Sequence, residues 1–393
     1  MPMTVCPYCF HRIDSSRLAY QCVGRGNADC KKEQDGVRRM LTGNTQETYP
    51  TFIPAGHNAA AGCPVCGGPG KRRACPECHT ALPIDFVNSN GPMIGLVGAK
   101  GSGKTVLMTV LVKHLREVIG PRFGADIWFA TDNPDGHRGL SDYQVSRELP
   151  LYQRRTLPVS TSQLGTGSRV QSAPIVLRWR QESARRVHGR SLRTTVLSFV
   201  DTAGEDLNRM ETVFTLYDIS VCDALIVTLD PSALPGAGAR LNLPQAAIQF
   251  GEDVPLDVLS RITELLRIEG NIKNKKRISM PVAIVFTKID TFYPTLDQSS
   301  PIMAASAGPP FYENADGQVV HEHLLALLQE WHAADIDQHM RLNYSDFRYF
   351  AVSALGAEPD YRTGEVAPGG VWPHRVEDPV LWLLSKSGTV PSA

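Results

Sequence analysis

A glycine-rich loop between an apolar, strand-like run and an amphipathic, helix-like run constrains this chain most. The run 92–97 leads directly into Gly-Ala-Lys-Gly-Ser-Gly-Lys-Thr at 98–105, which matches the pattern G-x-x-x-x-G-K-[ST]. After the loop, apolar residues recur near a period of 3.6 over 106–119, and Gly120-Pro121 is expected to end that helix. A strand, a glycine-rich loop and a helix in this order predict a loop that binds phosphate groups.

The residue types of this loop suit phosphate chemistry. Glycines let backbone amides point at a β-phosphate, and a helix amino terminus adds a partial positive charge. Lys104 is expected to reach the β- and γ-phosphates, and Thr105 to place its hydroxyl on Mg²⁺. The other residues expected to contact the nucleotide here are Gly98, Lys100, Gly101, Ser102 and Gly103.

Two further strand-like runs end in residues that suit the same site. The run 194–200 ends in Asp201-Thr202-Ala203-Gly204, where Asp201 can hold Mg²⁺ through water and the Gly204 amide can approach a γ-phosphate. The run 281–286 ends in Thr287-Lys288-Ile289-Asp290. Continuous apolar runs of this kind, including 224–230, are typical of parallel strands that are buried on both faces.

The second of these motifs predicts a base-recognition loop. The Asp290 carboxylate can accept hydrogen bonds from guanine N1–H and its 2-amino group, which adenine cannot supply together, while the Lys288 stem packs on the base. Thr287 belongs to the same motif. After the last strand-like run, backbone amides of Ser353, Ala354 and Leu355 can reach guanine O6.

Cysteines define a second feature at the amino terminus. Eight of the nine cysteines lie in the first 78 residues. They form the pairs Cys6/Cys9, Cys63/Cys66 and Cys75/Cys78, with Cys22 and Cys30 as single residues. Each Cys-x-x-Cys turn presents two thiolates to one ion, and two turns complete a tetrahedral S4 site that suits zinc. Because the start of the chain lacks the pattern of a secretion signal, zinc is expected rather than disulfides.

We expect two zinc sites, built by two sets of four cysteines. The first set is Cys63, Cys66, Cys75 and Cys78, and the second is Cys6, Cys9, Cys22 and Cys30. The sequence leaves the pairing open, because the single cysteines can exchange partners with the later pairs and His11, His57 or His79 can replace a thiolate. One zinc site with free cysteines, or a redox role for a Cys-x-x-Cys pair, is the alternative.

The ordered motifs at 98–105, 201–204, 287–290 and 353–355 resemble the Ras-like and translation-factor-like (TRAFAC) class of P-loop GTPases, over residues 91 to 387. The resemblance implies an α/β fold with a mostly parallel central sheet flanked by helices, and GTP, GDP and Mg²⁺ as ligands. The cysteine pairs predict a zinc-ribbon module at 1–88, and the ordered motifs predict a GTPase domain at 89–393, with insertions near 122–173 and 291–345.

A narrower resemblance concerns the whole chain. The zinc knuckles, the segment Leu157-Pro158-Val159-Ser160-Thr161 and the closing segment 378–384 together resemble bacterial double-GTPase proteins of conflict or antiviral defence systems. This likeness implies a protein partner that reads the nucleotide state, such as a second GTPase or another component of a multi-gene system.

The GTPase class also implies residues that sense and hydrolyse the γ-phosphate. Thr161 is the predicted sensing threonine, with Thr156 and Thr166 as alternatives. Glu205 stands where many relatives carry the glutamine that positions water, so with Lys104 and Thr161 it completes the predicted catalytic set. A carboxylate beside a γ-phosphate is repelled unless it is paired or protonated, and slow hydrolysis is therefore expected.

Charge and apolar content limit the classes of partner and the cellular location that we expect. Forty basic and forty acidic residues give a formal net charge of zero, which argues against general nucleic-acid binding. The apolar run at 106–112 is far shorter than a membrane span of about 20 residues. A cytoplasmic protein without membrane contact is expected.

The sequence thus predicts a GTP-binding protein that hydrolyses GTP to GDP and phosphate and acts as a nucleotide-dependent switch. The main alternative is a zinc-ribbon module that binds protein or nucleic acid, with a structural nucleotide site. Phosphate transfer to an acceptor other than water is a further alternative, because phosphate loops also serve kinases.

Overall fold

The fold is described from a computed structural model of the chain. It describes residues 3–26, 30–54, 62–89, 91–130, 143–158, 174–185, 189–201, 219–238, 255–273, 275–306 and 308–393. Within these ranges, side chains are described except at 88, 183–185, 189–191, 201 and 238.

The amino-terminal part folds as short antiparallel strands around the cysteines. Its strands are β1 (Met3–Val5), β2 (Arg12–Asp14), β3 (Ala19–Cys22), β4 (Glu33–Gln34), β5 (Glu47–Thr48), β6 (Thr51–Phe52) and β7 (Gly70–Ala74). Strand β3 lies between β6 and β7, while β1 pairs with β2 and β4 with β5. One helix, α1 (Gly36–Thr42), begins after Asp35, whose carboxylate accepts a hydrogen bond from the Arg38 N–H at 2.9 Å.

The rest of the chain builds a seven-stranded sheet. Its strands are β8 (Met93–Gly98), β9 (Ala125–Phe129), β10 (Ile175–Arg185), β11 (Gly189–Asp201), β12 (Ala224–Leu229), β13 (Val282–Phe286) and β14 (Phe347–Ala351). Their order across the sheet is β14-β13-β12-β8-β11-β10-β9. Strands β8, β12 and β13 are buried at every position, which explains their continuous apolar sequences.

Strand direction confirms the predicted fold class. Strands β14, β13, β12, β8 and β11 pair in parallel, whereas β10 pairs antiparallel with both β11 and β9. Strand β8 lies between β12 and β11, so strands that come later in the sequence extend the sheet on both sides of β8. The carboxyl end of β8 is therefore a switch point of the kind where α/β proteins bind ligands.

Helices cover both faces of this sheet. They are α2 (Lys104–His114), α3 (Pro255–Glu269), α4 (Asn314–Glu330), α5 (Ala334–Asn343) and α6 (Asp378–Lys386). Single α-helical turns occur at Gly120–Arg122, Leu149–Tyr152 and Pro235–Gly238, π-helical turns at Leu115–Ile119 and Gln144–Glu148, and 3₁₀ turns at Phe86–Asn88, Pro231–Ala233, Ile289–Thr295 and Pro301–Met303. One apolar core contains α2 and α6, and the other contains α3, α4 and α5.

The end of the helix after the phosphate loop differs from the prediction. Gly120-Pro121 was expected to stop the helix, but the helical chain continues to Arg122. In the π-helical turn Leu115–Ile119, the Gly120 N–H donates to the Leu115 carbonyl. Pro121 therefore falls in the first turn of the next helical segment, where its missing N–H is tolerated.

The amino-terminal strands pack directly on the sheet. Cys6, Cys9, Cys75 and Cys78 share one apolar cluster with Val176 of β10 and Val196 of β11. The Val196 N–H also donates to the Ser89 hydroxyl at 2.6 Å, and Arg178 lies 3.4 Å from Asp85. Phe10, which is 2% exposed, packs in the core of α3, α4 and α5 on the same face of the sheet.

Within the described ranges, no helix combines the length and apolar character needed to cross a bilayer.

Candidate nucleotide site and metal centres

The phosphate loop has the backbone that its glycines predict. It joins β8 to α2, and Gly101 and Gly103 have φ values of +78° and +79°, in the left-handed region that favours glycine. Gly98 lies against β12, because an added Cβ would come 2.2 Å from the Thr228 Oγ1 atom. Any larger residue at 98 would therefore push the loop away from the sheet.

A pair of buried hydroxyl groups joins the loop to the sheet. The Ser102 and Thr228 hydroxyl oxygens are 2.8 Å apart, and the Thr228 hydroxyl also lies 3.2 Å from the Val97 carbonyl oxygen. Ser102 is 1% exposed and Thr228 is fully buried. This pair ties the loop to the carboxyl end of β12.

Lys104 is folded back into the loop. Its ammonium donates to the Gly98 and Ala99 carbonyls at 2.6 and 2.7 Å, and the residue is 6% exposed. The positive charge is thus held among the loop carbonyls, where an incoming phosphate can compete for it. Thr105 is half-buried at the first turn of α2, whereas Lys100 is exposed.

The base-recognition motif contacts the phosphate loop. The Thr287 hydroxyl donates to the Ser102 carbonyl at 2.8 Å, and the Thr287 N–H donates to the Leu229 carbonyl at 3.0 Å. Lys288 has a φ of +54°, and its ammonium forms a 2.6 Å ion pair with Asp230. The two predicted halves of the site therefore lie together at the carboxyl edge of the sheet.

Asp290 lies beside the last predicted motif. Burial raises the pKa of the Asp290 carboxyl, while a hydrogen bond with Ser353 and the charge of Lys288 act in the opposite direction. The Ile289 N–H donates to the Val352 carbonyl at 3.3 Å, so the loop after β13 is joined to the segment after β14.

The segment 353–355 is held in place by backbone hydrogen bonds to the segment 372–374. Ser353 is fully buried and exchanges two backbone hydrogen bonds with His374, at 3.1 and 2.8 Å. Its hydroxyl accepts a hydrogen bond from the Gly356 N–H at 2.7 Å, and the Leu355 carbonyl accepts one from Trp372 at 2.8 Å. Ala354 is half-buried between them.

Several predicted site residues lie outside the described residues. Thr161, Gly204 and Glu205 belong to this group, as does the alternative Thr166. Asp201 is described only as the last backbone position of β11, next to β8. Thr156 is half-buried and bridges to Glu365, in the segment that follows the base-recognition residues.

Each Cys-x-x-Cys pair forms the same tight turn. The residue after each pair has a positive φ: +61° at Phe10, +68° at Gly67 and +61° at His79. Its N–H donates to the carbonyl of the first cysteine in the pair, at 2.7 to 3.0 Å. Such turns direct two thiols to the same side, as metal ligation requires.

The expected grouping of the cysteines is wrong. Two clusters form, and each combines early and late cysteines: Cys6, Cys9, Cys75 and Cys78 in the first centre, and Cys22, Cys30, Cys63 and Cys66 in the second. The pairing of β3 with β7 causes this arrangement, because it aligns Ala19 with Ala74 and Cys22 with Gly70. The 75–78 turn is thereby carried to the 6–9 turn, and Cys22 to the 63–66 turn.

Both clusters fit zinc by their donor chemistry. A tetrahedral ion with Zn–S bonds of about 2.3 Å separates its sulfurs by about 3.8 Å. The Cys6–Cys78 and Cys9–Cys75 sulfur pairs are both 3.8 Å apart. In the second centre, sulfur distances of 3.5, 3.6 and 3.9 Å join Cys22 to Cys66, Cys22 to Cys30 and Cys30 to Cys63.

The candidate histidines have other partners. The His79 ring lies 2.7 Å from the Asp35 carboxylate, and the His11 ring bonds the Cys9 carbonyl at 2.9 Å. His57 lies outside the part of the chain that the structure describes. Four thiols are already present in each centre, so a histidine ligand is not needed.

The chain resembles known proteins in sequence and in structure. No protein-family model matches the chain. A curated protein of Mycolicibacterium smegmatis, provisionally named ESX-1 scaffolding and assembly protein SaeC, is 24% identical over 415 aligned positions. The alignment covers 99% of this chain and 100% of that protein.

Three solved structures illustrate the structural likenesses. The signal recognition particle receptor SRb-GTP/SRX complex of Chaetomium thermophilum is 16% identical, covers 68% of this chain and 93% of its own, and has a TM-score of 0.28. A GDP-bound GTP-binding protein of Sulfolobus solfataricus is 15% identical (67% and 46% covered, TM-score 0.25). The GTP-bound Ski7 GTPase-like domain of S. cerevisiae is 12% identical (78% and 53% covered, TM-score 0.32). These TM-scores are below 0.5, so the fold is assigned from the sheet topology.

Three residues that lie near the site were not predicted from the sequence. Thr228 and Asp230 lie at the end of β12 and contact Ser102 and Lys288. Burial raises the pKa of Tyr361, and the charges of Glu358, Asp230 and Asp290 contribute, which puts this tyrosine near the base-recognition loop. The aspartate directly after the apolar run 224–229 was the available signal for Asp230.

Proposed function

We propose that this chain binds GTP with Mg²⁺ and hydrolyses it slowly to GDP and phosphate, as a nucleotide-dependent switch. The observation that carries the proposal is the hydrogen bond from the Thr287 hydroxyl to the Ser102 carbonyl. It joins a phosphate loop and a base-recognition loop into one site at the carboxyl edge of a mostly parallel sheet. A phosphate-binding loop alone would support many nucleotide reactions, whereas the joined loops favour a guanine nucleotide.

In this proposal, each of these residues binds a different part of the nucleotide or its metal ion. Lys104 would bind the β- and γ-phosphates, and the Thr105 hydroxyl with Asp201 would hold Mg²⁺, which neutralises charge on the phosphates. Asp290 would accept two hydrogen bonds from guanine, with Ser353, Ala354 and Leu355 at O6. Thr161 and Gly204 would sense the γ-phosphate, and Glu205 would lie near the attacking water.

The proposed partner is a protein whose assembly depends on the nucleotide state. The M. smegmatis relative is named a scaffolding and assembly protein, and its alignment spans nearly all of this chain. At 24% identity this relation supports protein assembly as a class of function without fixing the partner. A role in a conflict or defence system stays a prediction from sequence resemblance.

The second metal centre favours a docking role for the amino-terminal module. Cys22, Cys63 and Cys66 form a small cluster with Cys30, Tyr49 and Phe52, separate from both cores of the sheet. Because, among the described residues, this centre lies outside those cores, we infer that it shapes a surface for another molecule. We propose protein binding here as the second function, with nucleic acid as the alternative ligand.

Titration of zinc-loaded protein with fluorescent GTP and ATP analogues in Mg²⁺ tests the primary proposal. We expect GTP to bind at least about 100-fold more tightly than ATP, because adenine cannot satisfy the Asp290 carboxylate. Asp290→Asn should abolish this preference, while Lys104→Ala should weaken both nucleotides. Equal binding of GTP and ATP by the wild-type protein would contradict the base assignment. Phosphate release on the same sample measures hydrolysis.

A further inference from the structure

Asp230 has a fixed position at the end of a buried strand. It directly follows β12, and its Oδ1 atom accepts hydrogen bonds from the Ser232 N–H at 2.9 Å and the Ser232 hydroxyl at 2.6 Å. Its Oδ2 atom accepts the Lys288 ammonium at 2.6 Å. Both oxygens are therefore used, and the carboxylate has little freedom to turn.

The ion pair directs the Lys288 side chain across the phosphate loop. A Cβ added to Gly103 would lie 3.9 Å from the Lys288 Cε atom and 3.8 Å from the Thr287 Oγ1 atom. The Lys288 stem thus passes over Gly103 on its way to Asp230.

A lysine held in this way differs from a free one. An unrestrained lysine loses up to about 2 kcal/mol of rotamer entropy when it is ordered. The Lys288 and Asp230 side chains are 25% and 15% exposed, so the pair is only partly screened by water. The lysine stem is consequently ordered before any nucleotide arrives.

We propose that Asp230 is a positioning residue of the nucleotide site, which holds the Lys288 stem over Gly103 as a preformed surface for the base. The inference rests on the proposed function, since it assigns a role within the GTP site. It adds a residue from the segment after β12 to a base pocket that the sequence motifs assign to the segments after β13 and β14. In this role Asp230 acts through Lys288 and does not touch the nucleotide.

The role predicts uniform weakening without a change in base preference. Asp230→Asn keeps the size of the side chain and its bond to Ser232 but removes the ionic partner of Lys288. We expect the Kd values for GTP and GDP to rise by the same factor, up to about 5-fold, which is the upper end of the range for exposed ion pairs. The preference for GTP over ITP, which lacks the 2-amino group, should stay within twofold of wild type.

A double-mutant cycle separates positioning from a structural role. Lys288→Met keeps an apolar stem but removes the charge, so Asp230→Asn in that background should change the GTP Kd less than twofold. Ser299→Ala, which removes the equivalent serine hydroxyl from the Asp297 carboxylate in an exposed turn, should leave the GTP Kd unchanged. Thermal unfolding of every variant shows whether the fold is retained.

The outcomes are distinct. An Asp230→Asn protein with wild-type GTP affinity, or with the same loss in the Lys288→Met background, would overturn the positioning role. A loss of GTP-over-ITP preference in Asp230→Asn would overturn it as well, since that result would indicate direct base contact. Failure of the wild-type protein to bind GTP would instead overturn the proposed function.

Discussion

The Thr287 hydroxyl donates a hydrogen bond to the Ser102 carbonyl at 2.8 Å, and this bond joins the predicted base-recognition loop to the predicted phosphate loop. Both partners are almost fully buried, at 3% and 1% exposure. The neighbouring Ser102 hydroxyl lies 2.8 Å from that of Thr228, so three strand ends meet at Ser102. A disturbance of one loop is therefore expected to affect the other.

Thr287→Val tests this link, because valine keeps the shape of threonine but lacks the hydroxyl. The buried Ser102 carbonyl would lose a donor, which costs about 1–2 kcal/mol of stability. We expect the Kd for both GTP and GDP to rise about 10-fold, since base and phosphate contacts would no longer be aligned. Fluorescent nucleotide titration and urea unfolding measure the two effects.

Thr42→Val is the matched control for that variant. Thr42 donates to the Arg38 carbonyl at 2.8 Å at the end of α1, outside both loops. It should therefore leave nucleotide affinity unchanged. Wild-type affinity in Thr287→Val would show that the two loops are aligned by other contacts.

Nucleotide affinity should depend on pH through Asp290. Burial raises the pKa of this carboxyl above the ordinary value of 3.8, and only the ionised form accepts both guanine hydrogen bonds. GTP affinity should thus be complete above the raised pKa and be lost as the pH falls through it. In the free protein the sign is opposite, because ionised Asp290 costs folding stability above that pKa.

Titration with GTP at a series of pH values, from neutral down to the lowest pH at which the protein stays folded, measures this dependence. Asp290→Asn provides the reference, since an amide does not titrate and its weaker affinity should be flat over this range. The same decline in both proteins would assign the pH dependence to another group.

Local motifs account for the part of the site that the sequence predicted. The glycines at 101 and 103, the lysine at 104 and the cysteine turns depend on short-range backbone geometry, which their own residues determine. The mostly parallel sheet was also predictable, because β8, β12 and β13 are continuous apolar runs. These features need no knowledge of distant contacts.

The remaining features depend on which distant segments meet. Asp230 contacts Lys288 across 58 residues only because β12 and β13 are neighbours, and Thr228 meets Ser102 because β12 lies beside β8. The cysteine grouping likewise follows from the β3–β7 register. The spacing of residues in the sequence does not show which strands pair, because the whole fold determines the order of strands across a sheet.

The two metal centres should differ in their effect on the nucleotide site. Cys9→Ser removes a ligand from the first centre, which packs on Val176 and Val196, whereas Cys30→Ser removes one from the second. Each variant should lose about one zinc per chain. Only Cys9→Ser should also weaken GTP binding and lower the free energy of unfolding by about 3 kcal/mol or more, because its centre supports β10 and β11.

Zinc content by mass spectrometry, GTP titration and urea unfolding measure these changes in the full chain. Phe10→Ala tests the same packing without touching a ligand, since this buried ring joins the first knuckle to the core of the sheet. It should keep both zinc ions but lower stability by about 3–5 kcal/mol. Equal loss of GTP affinity in Cys9→Ser and Cys30→Ser would contradict separate roles for the centres.

Arg375 should stabilise the segment around His374, which forms backbone hydrogen bonds with Ser353. Its side chain is 1% exposed, pairs with Asp316 and Asp378, and donates to the Ala304 carbonyl at 3.1 Å. Arg375→Met would leave two carboxylates without their cation, which typically costs about 3–5 kcal/mol. GTP affinity should fall as well, because the preceding His374 exchanges two backbone hydrogen bonds with Ser353.

Removing the whole charge cluster distinguishes lost pairing from lost packing. Arg375→Met combined with Asp316→Asn and Asp378→Asn should regain most of the stability and the GTP affinity, since no uncompensated charge remains. Arg341→Met is the control: it breaks the pair with Asp337, in which the arginine side chain is 61% exposed, and should cost less than about 1 kcal/mol. A triple variant as unstable as Arg375→Met would show that arginine packing, rather than charge compensation, orders this segment.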